Sequence, residues 1–335
     1  PVTQLDALQL DRLVIRGSQG TADVRLDTAG NQIGELAATD LARLVLRNDG
    51  PGGLSITDAS ATGWGDTGPE EASPVAGLSA RDGVRVETAG DLTLQAGAVS
   101  ASGTGARIDL ITGGVFRNTG NLTLNTGAGG GWRVWTTTWE GMVTGGLQGS
   151  GPTPNLYGCA WGDASVCSVS GIALPAGGSG FVFRQQPTLV VDPSRTTYAQ
   201  GQPVPPIAFS STGLVNGDLA AGVLAGALGS SAGAGSAPGT YDVTLGSLVS
   251  PAGYRVQLGS SAVGGITLLA GVLGLPAGTT PHGDFSALLS RTSSEVNGRN
   301  LSRPLMCLAP GAQRRAAEGE GDDLLGLEWG RVRHQ

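Results

Sequence analysis

Tryptophan is the residue type whose clustering in this chain suggests a binding surface. Trp132, Trp135 and Trp139 fall within eight residues, and Trp161 follows after a stretch rich in glycine and proline. Flat indole rings suit the faces of pyranose sugars, so these four residues could form a platform for a glycan. Burying one indole removes roughly 150 to 250 Å² from water, so the same cluster could equally cap the end of a repeat. We favour the cap and keep the glycan platform as the alternative.

Three cysteines give the second chemical signal. Cys159 and Cys167 enclose seven residues, a spacing that a disulfide can close in an oxidising compartment, with a stabilisation of roughly 2 to 3 kcal/mol. Zinc requires four ligands and no histidine lies near this pair, so we expect no metal site. Cys307 is predicted to be a buried free thiol or to pair with a cysteine elsewhere.

Catalysis has little support in the sequence. The two histidines are His282 and His334, both near the C-terminal end. Asp23, Asp91 and Asp109 fall at predicted outward positions and leave a polysaccharide lyase or hydrolase as a third hypothesis. Such an enzyme is expected to carry acids and cations on consecutive repeats, whereas the outward positions here read mainly as Thr, Ser and Asn. We therefore predict that the protein is not an enzyme and has no catalytic residue and no cofactor.

Short strands with alternating apolar and polar residues must position these groups. Examples are Val84–Val86, Leu92–Leu94 and Ile108–Leu110, separated by Gly, Asn and Thr. Residues two apart share one face of a strand, so each example directs two apolar side chains inward. The segment Thr88–Leu94 returns thirty positions later as Asn118–Leu124. This pattern predicts a repetitive solenoid of stacked strands, built as a rod.

The pattern changes along the chain and suggests four regions. We predict an all-β protein with a right-handed parallel β-helix over residues 1–130, interrupted by a loop at Trp64–Pro74. Residues 131–186 would form the end, cap and junction of this helix. A small β-sandwich or β-grasp-like module is predicted for residues 187–270, and an irregular tail for residues 271–335.

Composition excludes several functions. The 335 residues include 58 glycines, 14% charged residues and a net charge of -7. Nucleic-acid binding needs clustered cations, so we expect no nucleic-acid partner. All cations are arginine, which excludes mechanisms that depend on lysine. The most apolar window, Ser261–Pro276, contains four glycines and is shorter than a membrane span, so no transmembrane helix is predicted.

Four motifs in the second half resemble a known family. The segment Thr188–Leu268 resembles the glycine-rich MBG domains of bacterial agglutinins. The motifs that carry the resemblance are Arg195–Gly201, Gly213–Asp218, Pro238–Val243 and Tyr254. The resemblance implies a small, mostly β module.

Flanking segments resemble filamentous-haemagglutinin-like exoproteins of two-partner secretion. These segments are Gly131–Thr137, the Cys159/Cys167 pair, Phe181–Pro187 and Met306–Arg333. The resemblance implies export through an outer-membrane secretion partner. It also leads us to expect that the chain is the C-terminal part of a longer protein.

The sequence therefore predicts a structural adhesin at the bacterial cell surface or in the extracellular space. Its role would be attachment, aggregation, biofilm or filament formation, without catalysis. Its expected partners are a glycan or protein of a host or bacterial surface, together with further copies of itself. The first alternative is a glycan-binding module on a stalk, and the second is a β-helical enzyme acting on polysaccharides.

Overall fold

A computed structural model describes residues 1–60, 62–65, 68–71, 73–151, 154–162, 166–167, 178–233 and 235–270. The chain divides into two units, Pro1–Val272 and Leu273–Gln335. All described residues belong to the first unit. The predicted irregular tail at 271–335, with Cys307, His282 and His334, lies outside the described residues.

The structure confirms the all-β class, with parallel strands in the N-terminal half. One four-residue α-helix and one 3-10 turn are the helical elements in the described part of the chain. We call residues 1–186 the coil region. Its strands are β1 (Val2–Thr3), β2 (Gln9–Arg16), β3 (Ala22–Leu26), β4 (Gln32–Asn48), β5 (Leu54–Ile56), β6 (Asp58–Ala59), β7 (Thr62–Gly65), β8 (Gly68–Glu71), β9 (Val75–Ala76), β10 (Leu78–Thr88), β11 (Leu92–Leu94), β12 (Val99–Ala101), β13 (Arg107–Thr112), β14 (Phe116–Asn118), β15 (Leu124–Thr126), β16 (Gly131–Thr136), β17 (Asn155–Tyr157), β18 (Cys159–Ala160), β19 (Val166–Cys167) and β20 (Gly180–Phe183).

Parallel pairing stacks these strands into successive coils with three faces. Face 1 contains β3, the ends of β4 and β10, and then β13, β16 and β20. Face 2 contains β5, β11 and β14 together with part of β4, and face 3 contains the start of β10 with β12 and β15. From β10 to β16 the chain passes through all three faces in each coil, so β13 pairs with β10 one coil earlier and with β16 one coil later. At the end of the coil region β20 lies between β16 and β17.

Alternation along each strand builds a continuous apolar core. On face 1, Leu46, Val86, Leu110 and Val134 lie in register on four consecutive coils, and all are buried. Their neighbours in sequence point outward, as the two-residue period of a strand requires. Stacking therefore buries a column that no single coil could bury alone.

The coil repeat differs from the thirty-residue recurrence of the turn motifs. Leu92 pairs with Phe116, twenty-four positions on, and not with Leu122. Leu124 lies on face 3, where it pairs with Val99. The similar sequences Thr88–Leu94 and Asn118–Leu124 therefore belong to different faces. They look alike because each contains a tight turn followed by an inward Leu, and such a turn can precede either face.

Buried polar side chains hold the corner between faces 1 and 2. Asn48, Thr88, Thr112 and Thr136 occupy this corner on successive coils and are all buried. Thr112 Oγ1 donates a hydrogen bond to the carbonyl oxygen of Gly90 at 2.6 Å, and Thr136 makes the equivalent bond one coil later. Backbone carbonyls at a turn lie outside the ladder, so these hydroxyls provide the partners that burial requires.

The predicted Trp64–Pro74 loop is a β-hairpin. β7 pairs with β8 in antiparallel fashion, and β6 pairs with β9 at the base. We call residues 58–76 the hairpin arm. Its base packs on the coils, where Ala59 and Val75 are buried beside Ala37. The arm is therefore an insertion between face 2 and face 3 of one coil.

Residues 187–270 form a separate set of small sheets, the C-terminal module. β21 lies between β23 and β27 in one sheet, and β28 lies between β22 and β25 in another. Tyr198, Tyr241 and Val256 pack against its core. The elements are β21 (Thr188–Pro193), β22 (Thr196–Ala199), β23 (Phe209–Thr212), α1 (Ala220–Val223), β24 (Gly229–Ser230), β25 (Gly239–Tyr241), β26 (Val243–Thr244), β27 (Arg255–Leu258), the 3-10 turn (Ser260–Ala262) and β28 (Ile266–Leu269).

A half-buried carboxylate, that of Asp218, joins the module to the last coil. Asp218 accepts hydrogen bonds from the phenols of Tyr157 and Tyr254 and from the amide of Asn155, each at 2.7 Å. Asn216 donates to the Tyr157 oxygen at 3.0 Å. Burial, together with hydrogen bonding to Asp218, raises the pKa of both phenols, that of Tyr254 to about 12. We call these five residues the junction network.

No helix in the described residues is both long and apolar enough to cross a membrane.

Candidate ligand-binding groove

The structure separates the four tryptophans into two pairs. Trp132 and Trp135 lie on opposite faces of β16, because three positions separate them along a strand. Trp132 joins the inner core and contacts Phe181 with 5.3 Å between ring centroids. Trp139 packs edge-on against Tyr157 at 5.7 Å, next to the junction network. These two indoles pack into and against the inner core, and the cap interpretation stays a prediction.

The other pair lies outside the coils. The rings of Trp135 and Trp161 meet edge to face with 5.1 Å between centroids. Trp135 is buried among Ile111, Leu156 and Val182, which form an outer apolar cluster on face 1. Trp161 is half-buried at the edge of this cluster, so one indole of the predicted platform keeps part of its ring accessible.

A disulfide holds Trp161 at this place. β18 and β19 pair in antiparallel fashion with Cys159 opposite Cys167, and the two sulfur atoms are bonded. Both cysteines pack against the outer apolar cluster. The bridge therefore ties the segment that carries Trp161 to the outside of the coils.

A groove of about 330 Å³ opens between this segment and the corner of faces 1 and 2. Its floor is formed by the threonine corner and its wall by the Trp135/Trp161 pair. Charged side chains line the remaining side. The lining residues are Arg47, Asp49, Glu87, Thr88, Ala89, Ile111, Thr112, Gly113, Trp135, Thr136, Thr137, Cys159, Ala160, Trp161, Val182 and Arg184.

Most charges in and beside the groove form pairs of opposite sign, and Arg184 adds a further cation to the lining. Arg47 Nε donates to Asp49 at 2.9 Å, and Arg85 lies 3.6 Å from Glu87. A hydrogen bond from the Gly30 backbone amide, followed by that from Arg47, lowers the pKa of Asp49. The carboxylate is therefore ionised at neutral pH, and each pair presents fixed donors beside fixed acceptors.

Arg85 also contacts the aromatic wall. Its guanidinium lies 5.1 Å from the ring centroid of Trp161, a distance at which cation–π attraction operates. Arg85, Asp109 and Arg133 lie in register on three consecutive coils. The expectation that outward positions carry mainly Thr, Ser and Asn is therefore wrong for face 1.

The sequence did contain the signal for this charged row. Arg85, Asp109 and Arg133 are spaced by twenty-four residues, which is the coil repeat. The thirty-residue recurrence of the turn motifs does not match this spacing. Asp23 and Asp109 do lie on outward strand positions, while Asp91 accepts a hydrogen bond from the Val115 amide and pairs with Arg117. Across the described segments, no group of three or more His, Cys, Asp or Glu side chains could hold a metal ion.

Comparison with known proteins identifies the module. Residues 189–263 match the MBG domain (YGX type). This match covers β21 to the 3-10 turn of the C-terminal module, less than a quarter of the chain. MBG domains are a general module of surface proteins. Searches among curated proteins and among solved structures found no match.

Proposed function

We propose that this chain is part of a non-catalytic, extracellular structural adhesin. In this proposal the coil region is a right-handed parallel β-helix that presents the MBG domain at a bacterial cell surface. Export would follow the two-partner route of filamentous-haemagglutinin-like exoproteins, and the contacts made would be attachment or aggregation.

One observation carries the proposal most directly, namely the fusion of stacked coils to an MBG domain within one compact unit. The last coil supplies Tyr157 and the MBG domain supplies Asp218 and Tyr254 to a single hydrogen-bond network. A module fixed to the coils in this way is held in a defined position, which suits a protein that presents a surface to a partner. The Cys159–Cys167 bridge suits an oxidising compartment outside the cytoplasm.

Adhesion of coated particles tests the proposal. Microspheres carrying the purified chain are incubated with epithelial cells and with bacteria, and bound or clustered microspheres are counted. We expect attachment or clustering well above that of albumin-coated microspheres, and loss of the effect when the chain is heat-denatured before coating. Attachment no greater than that with albumin on either cell type would contradict an adhesive function.

Self-association into filaments is a separable part of the proposal. β23 is the outer strand of its sheet among the described strands, where it pairs with β21. Thr212 on this strand is exposed and lies opposite Val190. A charge at an exposed strand edge opposes strand addition, so Thr212→Asp should abolish filaments in negative-stain micrographs while Thr212→Ser keeps them. Filaments that persist in a folded Thr212→Asp variant would exclude this edge.

A further inference from the structure

We propose that the groove beside Trp161 binds a hydroxyl-rich, uncharged pyranoside of one or two sugar units. This inference rests on the proposed adhesive function, for which the groove would be one point of contact. It assigns the contact to face 1 of the coils and not to the MBG domain.

The aromatic wall supports a sugar ligand. Trp161 is half-buried, and its ring is held by Trp135 on one side and by the guanidinium of Arg85. The disulfide fixes the backbone that carries it. A ring that is already oriented loses little conformational freedom when a ligand packs against it, so the accessible part of the indole is a preorganised apolar contact.

The polar side of the groove favours an uncharged ligand. Arg47 is compensated by Asp49, and Arg85 by Glu87. Arg184 also lines the groove, and the two arginines and two carboxylates of the lining cancel, so the groove attracts a free anion or cation weakly. The pairs still offer guanidinium donors beside carboxylate acceptors, and adjacent hydroxyl groups of a sugar can use both at once.

The floor and the size restrict the ligand further. The hydroxyls of Thr136 and Thr137 donate their hydrogen atoms to backbone carbonyl oxygens. Toward a ligand, these hydroxyl oxygens therefore act as hydrogen-bond acceptors. A volume of about 330 Å³ is at the lower end of the range of small-molecule sites, roughly 300 to 1,000 Å³. This space suits one or two pyranose units of a longer chain that continues into solvent.

Calorimetric titration of the full chain tests this assignment. The probes are the neutral disaccharides cellobiose, lactose and maltose, with a glucuronate-containing disaccharide as the acidic comparison. We expect saturable binding of at least one neutral probe, with weaker binding of the acidic one. Trp161→Ala and Asp49→Asn should each raise the Kd at least tenfold, and Trp161→Phe should recover part of the loss.

Matched controls separate the site from the fold. Trp64→Ala, in the hairpin arm, should leave the Kd unchanged, and circular dichroism should show that every variant keeps its β structure. The assignment is overturned by absence of saturable binding of all three neutral probes, by preference for the acidic probe, or by an unchanged Kd in a folded Trp161→Ala variant.

Failure of this inference differs from failure of the adhesin proposal. If microspheres coated with Trp161→Ala attach as well as those coated with the unmodified chain, adhesion stands and the groove is not its contact. If the unmodified chain binds a neutral disaccharide but its microspheres do not attach, the groove stands and the adhesin proposal fails.

Discussion

The junction network allows the sharpest prediction about stability. Replacing Asp218 by Ala removes one acceptor shared by Asn155, Tyr157 and Tyr254. The donors left behind are buried, since Tyr157 is 0% and Tyr254 2% exposed. Each stranded donor costs about 1 to 3 kcal/mol, and hydrogen bonds to a charged group are the stronger kind.

The three costs are not additive, because the donors share one carboxylate and the Tyr254 hydroxyl can still donate to the Val215 carbonyl oxygen at 3.4 Å. We therefore expect Asp218→Ala to lower the free energy of unfolding by about 3 kcal/mol. Tyr254→Phe removes one donor to Asp218 and the acceptor of the Val215 amide, and should lower it by about 1 to 2 kcal/mol. The double variant Asp218→Ala/Tyr254→Phe should lose much less unfolding free energy than the sum of the two single losses. In the Asp218→Ala background the Tyr254 hydroxyl has already lost its carboxylate acceptor, so removing the hydroxyl costs less.

Urea unfolding monitored by circular dichroism and tryptophan fluorescence measures these differences. The matched control is Asp242→Ala in the same module, since Asp242 is exposed and accepts one backbone hydrogen bond from Gly264. We expect this control to stay within about 1 kcal/mol of the unmodified chain. The reasoning is refuted if Asp218→Ala is no less stable than Asp242→Ala, or if its effect simply adds to that of Tyr254→Phe.

Three further predictions follow from other features. The folded-state pKa of Tyr254 is about 12, above its ordinary value. The stability that this residue contributes is therefore complete below about pH 10 and is lost as the pH rises through the folded pKa. The unfolding free energy measured from about pH 9 to about pH 12 should consequently decline less steeply in Tyr254→Phe than in the unmodified chain. Replacing Cys159 and Cys167 together by Ala should lower the unfolding free energy by about 2.5 kcal/mol on the loop-entropy account. Chemical reduction of the unmodified chain should lower the unfolding free energy by the same amount. If the doubly substituted chain is as stable as the unmodified chain, packing alone holds the segment. Gly113→Ala would place a methyl carbon 2.4 Å from a backbone oxygen of the preceding coil, whereas nothing lies within 4 Å of the equivalent position at Gly52. Thermal unfolding should therefore show that Gly113→Ala lowers the unfolding free energy by more than about 2 kcal/mol and Gly52→Ala by less than about 0.5 kcal/mol. Equal effects would contradict the close stacking of coils.

The strand class could be predicted from local sequence, whereas the register could not. Val84–Val86 and Ile108–Leu110 alternate clearly, and both are inward-facing parts of face 1. The segment Leu122–Leu124 alternates equally well, yet Leu122 precedes the strand that begins at Leu124. Alternation reports which side chains share a face, but the pairing of coils depends on turn lengths and on contacts more than twenty residues apart.

In the candidate groove, too, local sequence predicts which side of a strand a residue lies on but does not predict which residues from different coils meet. From the sequence, Trp132 and Trp135 are grouped in one cluster, whereas their three-residue spacing along β16 puts them on opposite sides of the strand. The position of Trp161 against Trp135 could not be read from the sequence, because twenty-five residues separate them and Trp161 lies between β18 and β19. Each ion pair of the groove joins residues two apart in sequence, but only coil pairing brings Arg47 beside Glu87.

The hairpin arm has a consequence for how such a chain can change. The backbone leaves the coil at Thr57 and returns at Gly77, and the Gly77 amide donates to the Thr57 carbonyl oxygen at 3.3 Å. The coil is thus closed beneath the arm, and the face 1 strands before and after it stay in register. Residues beyond the base can be lengthened, exchanged or deleted at little cost to the stack. The arm is therefore a natural site for sequence diversification, and for grafting a foreign epitope.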